Sequence, residues 1–396
     1  MIVFLTIVLV AIAGVAYAQT VYPFPDVNAS NEPHVDAIAW AADHGIVEGY
    51  VNGNFGPADN ILRQQAASMF MRYDTYLRST LDGGAMAGSC ADCHDSSQLI
   101  PGYQAAWSES LHATGDAFVR GTSAGCAGCH SGGGFQEMIA ASMSPDEVTE
   151  GDMNPTPINC RTCHQVHENG TGADWALETT DPVTLFAFTD VTFDGGKGNL
   201  CANCHQPRRA IDGESPVDDQ GTPDVTTDDT RQVTSTHWGP HHGPQSAALL
   251  GVGGSIAGDE SPHYGAVENT CVTCHLVDPQ SHTFEPKEEA CQSCHAGVDG
   301  FDVNGVQTTV KAKLLVLENL LETAGYLVEP DPAPATDIGW DAEIVDAVVD
   351  VDKPAAEVEA LWNWIYVAVE DSSFGVHNPD YIIDLLDAGI DALAGV

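Results

Sequence analysis

Twelve cysteines, not one of them outside a Cys-x-x-Cys-His pentapeptide, constrain this chain more than any other feature of its 396 residues. The pentapeptides are Cys90-Ala-Asp-Cys93-His94, Cys126-Ala-Gly-Cys129-His130, Cys160-Arg-Thr-Cys163-His164, Cys201-Ala-Asn-Cys204-His205, Cys271-Val-Thr-Cys274-His275 and Cys291-Gln-Ser-Cys294-His295. Exported chains rich in cysteine ordinarily form disulfides, and paired Cys-x-x-Cys units in intracellular proteins ordinarily hold zinc, which here would make three sites. Neither accounts for the histidines. With 16 histidines in the chain, finding one after all six pairs by chance has odds of about 4 in a billion. In this motif the two thiols form thioethers to haem vinyl groups and the adjacent imidazole turns onto the iron. Six covalently attached haem c groups are therefore expected, with the twelve cysteines as attachment points and the six motif histidines as proximal ligands.

The motifs occupy residues 90–295, about 34 residues per haem, too few to wrap each haem in its own domain. The haems must then pack against one another. A scaffold of this kind has little sheet and short helices that begin at or near the motifs, and conduction of electrons along the haem chain is the function such packing provides.

A second protein ligand closes a haem iron, whereas an open sixth position can bind substrate, so the ten remaining histidines decide between carrier and enzyme. His167 follows a motif histidine by three residues in Cys163-His164-Gln-Val-His167, about one helical turn on, where it can serve a neighbouring haem but not its own. His112, in Trp107-Ser-Glu-Ser-Leu-His112-Ala, resembles distal-ligand segments of multihaem cytochromes. His282 stands just ahead of the last motif in Ser281-His282-Thr-Phe284-Glu-Pro286. The stretch Thr236-His237-Trp-Gly-Pro-His241-His242-Gly-Pro-Gln245 and the nearby His263 should supply at least two ligands, with His242, His263 and His237 favoured in that order. His241 reads as a packing or propionate-contacting residue. His377 precedes Asn378-Pro379, an N-cap and N1 pair that fixes its place. A helix-terminus histidine without metal is the alternative there. Seven candidates thus compete for six positions, and bis-histidine ligation throughout is expected. No Cys-x-x-Cys-Lys occurs, so a lysine-ligated catalytic haem has no sequence support. His34 and His44 lie apart and read as surface residues.

Lys and Arg total 13 against 57 Asp and Glu, a formal charge of −44. That field repels nucleic acid and suits either an exported soluble protein or docking onto cationic partners. Residues 2–16 are apolar, and Ala16-Tyr17-Ala18 before Gln19 has the form signal peptidase cleaves, so 1–18 reads as a secretory signal, with an uncleaved anchor as the alternative.

Residues 22–74 carry Phe24-Pro-Asp26-Val27, Ala37-Ile38-Ala-Trp40, Gly45-Ile46-Val-Glu-Gly49-Tyr50, Gly53-Asn-Phe55-Gly-Pro57 and Ile61-Leu-Arg63-Gln-Gln-Ala66-Ala67. This segment resembles an S-layer homology repeat. The resemblance implies attachment to a cell-wall polymer through Arg63 and the Gly45 to Tyr50 loop. A capping or oligomerisation module is the alternative. Residues 75–89 read as a linker, and Asp212 to Gln232 as an exposed acidic loop.

Beyond residue 300 the pattern becomes helical: Val310, Leu314, Leu317 and Leu321 repeat at helical spacing, as do Ile382, Leu385, Leu386, Ile390 and Leu393, with a Trp-rich helix from Val358 to Val369 between them. The run Trp364-x-Tyr366, then Asp371-x-Ser373-x-Gly375-Val-His377-Asn378-Pro379-x-Tyr381, resembles the C-terminal helices of multihaem cytochromes related to nitrite- and hydroxylamine-processing enzymes. That likeness covers 230–396 and implies helices packed on the haem core or at a subunit interface.

The expected molecule is mainly α with much irregular structure. It comprises a signal (1–18), a helical S-layer homology module (22–74), a linker (75–89), a hexahaem cytochrome core (90–300) and a C-terminal helical domain (301–396). Its expected role is electron transfer at or beyond the cell envelope, to redox partner proteins or extracellular acceptors, with self-assembly into a polymer as one form. The alternative is a reductase of a nitrogen or sulfur oxyanion at one open haem.

Overall fold

The computed structural model describes residues 24–27, 34–82, 99–168, 172–219, 229–241, 243–277, 282–328 and 342–394. The signal segment, Cys90, Cys93, His94 and His242 lie outside them. The chain is about 47% helical with little sheet. Among the described residues no helix is long and apolar enough to cross a membrane. Two compact units divide the chain, Met1–Asp95 and Ser96–Val396.

In the first unit α1 (Val35–Asp43) buries Val35 and Ile38, three residues apart and so on one face, against Val27, Phe24 and Phe55. Gly45, at φ +68°, closes the helix in the left-handed conformation that a side chain would disfavour. The Asp26 carboxylate then accepts the N–H groups of Phe55 at 2.7 Å and Gly56 at 2.8 Å, tying the two ends of the turn region together. The following helix, α2 (Arg63–Asp82), runs eight residues past the expected end of the module at 74. Nothing between Thr75 and Asp82 breaks a helix, and the first glycines come at Gly83-Gly84.

The second unit begins with α3 (Leu99–Glu109) and continues to about residue 300 as loops and short helical segments, one of them the nine-residue helix Gly132–Ala140. One hairpin interrupts them, β1 (Val183–Leu185) against β2 (Phe188–Phe193), antiparallel with Val183 opposite Phe193. Its buried face packs with Ala247, Leu249, Leu250 and Cys271. A second small cluster joins Phe135, Met138, Val148 and Leu200 to Cys163 and Cys204, so the motif cysteines are themselves part of the packing.

The main core is C-terminal. Here α4 (Val306–Thr323), α5 (Ala355–Ile365) and α6 (Pro379–Leu393) bury Leu314, Leu317, Leu361, Trp362, Trp364, Tyr381 and Leu385 among themselves. Asn378 caps α6, its side chain accepting from Tyr381 N, with Pro379 at the first helical position. After α5 the chain continues as a π-helical run, Tyr366–Asp371.

These helices are not a separate body from 301 onward. They share their core with Ile211, Val233, Trp238 and Ala248. Strand β3 (Thr230–Gln232) pairs with β6 (Asp352–Pro354), while β4 (Leu327–Val328) pairs with β5 (Glu343–Ile344). Segment 244–260 is stitched on by Trp362 Nε1 to Gly253 O, Tyr366 OH to Val252 O, Tyr381 OH to Ile256 O and Asn378 Nδ2 to Ala248 O. The flanks of the expected acidic loop are ordered too. Arg231, 6% exposed, bonds Asp212 at 2.7 Å, Glu359 at 3.0 Å and the carbonyl of Ser215. A buried guanidinium needs those acidic and carbonyl partners, which is why this stretch cannot all be loop.

Candidate functional site

Each described pentapeptide closes one helical turn. The N–H of His130 bonds Cys126 O at 2.9 Å, His164 bonds Cys160 O at 2.8 Å, His205 bonds Cys201 O at 2.9 Å and His295 bonds Cys291 O at 2.7 Å. Cys271–His275 is itself a helical turn. Cysteines three residues apart on such a turn share a face, and the next residue's imidazole leaves from the same end.

Three of these imidazoles have a second imidazole opposite. His112 and His205 have ring centroids 6.1 Å apart, His164 and His282 are 6.4 Å apart, and His263 and His295 are 6.3 Å apart. Two imidazoles trans across one metal, with bonds of about 2.0–2.1 Å and about 1.1–1.2 Å from nitrogen to ring centre, have centroids about 6.3 Å apart. Every pair joins one motif histidine to one candidate distal ligand. His164 is faced by His282.

His377 lies within electrostatic reach of Cys271, His275 and His205, and His205 already faces His112. His167 sits at φ +69° with its N–H on Asp174 Oδ2 at 3.0 Å. His237 is exposed beside Thr236, and among the described residues it faces no motif histidine.

The rings are aimed through Nδ1. His164 bonds Trp175 O at 2.8 Å, His275 bonds Phe284 O at 2.8 Å, His263 bonds Val376 O at 2.8 Å, His205 bonds Gln245 Oε1 at 3.2 Å and His377 bonds Asp371 Oδ1 at 2.6 Å. With Nδ1 engaged, Nε2 is the nitrogen left for a metal, and an outer partner of this kind sets tautomer and orientation. His112, whose Nδ1 is buried without a partner, is pulled down to about 4 by burial and then by His205, so it is neutral at ordinary pH. For Asp371 and His377 burial opposes both charges, and their mutual attraction still holds the aspartate below and the histidine above their usual ranges.

The outer partners Trp175, Gln245, Phe284 and Val376 are not marked by the sequence as part of the site. Four act through oxygens whose direction depends on folding; Phe284, for example, aims its carbonyl from φ +61°. Only Asp371, in the Asp-x-Ser-x-Gly run, carried a readable pattern. The end of the π-helical run and the loop after it hold three of these rings: Asp371 holds His377, Val376 O holds His263, and the carbonyls of Glu370 and Asp371 receive Gln245 Nε2, whose oxygen holds His205.

The motifs also touch one another out of sequence order. Cys129 Sγ lies 3.8 Å from the carbonyl of Asn203, next to Cys204, and Cys271 Sγ lies 3.9 Å from the carbonyl of Gly198, three residues ahead of Cys201. Cys163 is near both Cys201 and Cys204, and Cys274 is near Cys291 and Cys294. The second, fourth, fifth and sixth motifs therefore follow one another, with the third beside the fourth.

The donor chemistry fits haem better than zinc. Among the described residues no three Cys, His, Asp or Glu side chains converge as a metal-ion site. Zinc requires about four protein donors, whereas an iron already in a tetrapyrrole requires only two axial ones.

In the first unit, Arg63 is exposed at the start of α2, and Glu48, Gly49 and Tyr50 are exposed beyond the buried Ile46 and Val47. Residues 23–67 match the S-layer homology domain. Such a domain points to a surface or cell-envelope protein and typically binds cell-wall polymers. No curated protein and no solved structure matches the chain.

Proposed function

We propose that this chain is an exported hexahaem c-type cytochrome that carries electrons at or beyond the cell envelope and is retained there by its S-layer homology module. The observation that carries this reading is the set of three imidazole pairs at 6.1–6.4 Å, each uniting a motif histidine with a distal one. Haem c supplies a one-electron ferric/ferrous couple. The protein's part is to hold the motifs side by side and to offer two imidazoles per site, which favours a closed, low-spin, substrate-inert centre. His237, exposed, is the residue this reading leaves for a neighbouring copy in a polymer.

Twelve cysteines in an exported chain would also suit disulfides, but disulfides leave the facing imidazoles without a role. Mass spectrometry and the ferric spectrum of the purified protein separate the readings. Six haem additions and a wholly low-spin protein that binds no carbon monoxide are expected. Fewer than five additions sinks the hexahaem reading, and carbon monoxide binding at one haem per chain promotes the oxyanion reductase.

A further inference from the structure

Of the five ring bonds through Nδ1 described above, four end on neutral oxygens and one ends on a carboxylate. The exception is His377, whose Nδ1 lies 2.6 Å from Oδ1 of Asp371. Asp371 is 3% exposed, and its other oxygen accepts from Ser373 Oγ at 2.5 Å and Ser373 N at 3.2 Å. Ser373 Oγ in turn accepts the N–H of His377 at 3.2 Å. The carboxylate thus has a fixed direction as well as a charge.

We propose that Asp371 is a potential-setting residue: by accepting the Nδ1 proton of His377 it makes this the most basic of the five imidazoles whose Nδ1 bonds are described and lowers the reduction potential of the haem of Cys271-Cys274-His275. The inference rests on the reading of His377 as that haem's distal ligand. A carboxylate behind a ligating histidine raises the ligand's basicity, and a more basic ligand favours the more highly charged ferric iron over ferrous. Neutral oxygens behind His164, His205, His263 and His275 do this less. The effect acts in a buried setting, where charge-assisted hydrogen bonds are stronger than neutral ones.

Potentiometric titration of the holoprotein, with electron paramagnetic resonance of the ferric state, tests the proposal. In D371N one of the six midpoints should rise by at least the 59 mV that corresponds to a tenfold loss of ferric preference for one electron. One low-spin signal should change its g values, and the other midpoints should stay near their parent positions. D371E, which keeps the charge and an acceptor, should recover most of the parent potential, and it serves if D371N assembles poorly. Unmoved midpoints in D371N overturn the proposal. A raised midpoint with unchanged g values also overturns it, because that is through-space charge alone. H377A tests the underlying reading separately: a new high-spin signal with carbon monoxide binding shows that His377 is a ligand, whereas an unchanged spectrum removes it from the haem whatever Asp371 does.

Discussion

Asp26 holds a turn by accepting two backbone N–H groups 29 and 30 residues away. The Phe55 N–H, against slight desolvation and with the Gly56 N–H, keeps its carboxyl below the usual aspartate range. Because the folded-state value is depressed, the stabilisation is complete above the unfolded value of about 3.9 and is lost as pH falls through the lower folded value. Asp26→Ala should therefore speed amide hydrogen exchange at Phe55 and Gly56 at pH 6, and the difference from the parent should vanish in strong acid. Equal protection at pH 6 would mean that the carboxylate is not what closes the turn. At this scale the sequence is half legible. Cysteine spacing and histidine density mark the candidate ligands, but nothing in the chain order says that His112 faces His205 or that His282 faces His164. Those pairs join residues far apart in sequence, and the oxygens behind the rings are mostly backbone or amide groups that any residue could present.

The long helices were the most legible elements, because a repeat of apolar residues at three and four positions survives any tertiary context. Val310, Leu314, Leu317 and Leu321 form the buried stripe of α4, and Asn378-Pro379 opens α6. The π-helical end of α5 was not legible, since Tyr366 to Asp371 has ordinary helical composition and the widened turn is dictated by the segments packed on it. Those segments fit closely. A Cβ on Gly258 would stand 2.5 Å from the ring of Tyr381, whose hydroxyl bonds Ile256 O and accepts from Gly254 N. Gly258→Ala should destabilise the second unit by about 1–3 kcal/mol, the usual cost of overpacking. Because segment 244–260 also carries Gln245, the damage should reach the spectrum as well as the melting temperature. A variant that melts with the parent would show that Tyr381 can move aside.

At the scale of the whole molecule, the chain falls into two compact units, the first of which runs to Asp95 and so includes the first pentapeptide as well as the S-layer homology module. Residues 23–82 contain no cysteine, and the first unit has its own small apolar cluster around Val27, Val35 and Ile38. The second unit has a separate core on α4, α5 and α6. Helix α2 continues through residue 74 to Asp82, so a deletion ending at 74 would cut the helix. Removing 23–82 in full should leave the haem count and the ferric spectrum as they are in the parent, while retention on isolated cell-envelope fragments is lost. With a formal charge of −44, the truncated protein should not be held there by attraction to other anionic polymers, so a simple sedimentation assay can read the loss. Retention that persists after the deletion would place the envelope contact in the second unit and leave the S-layer homology module a part in assembly instead.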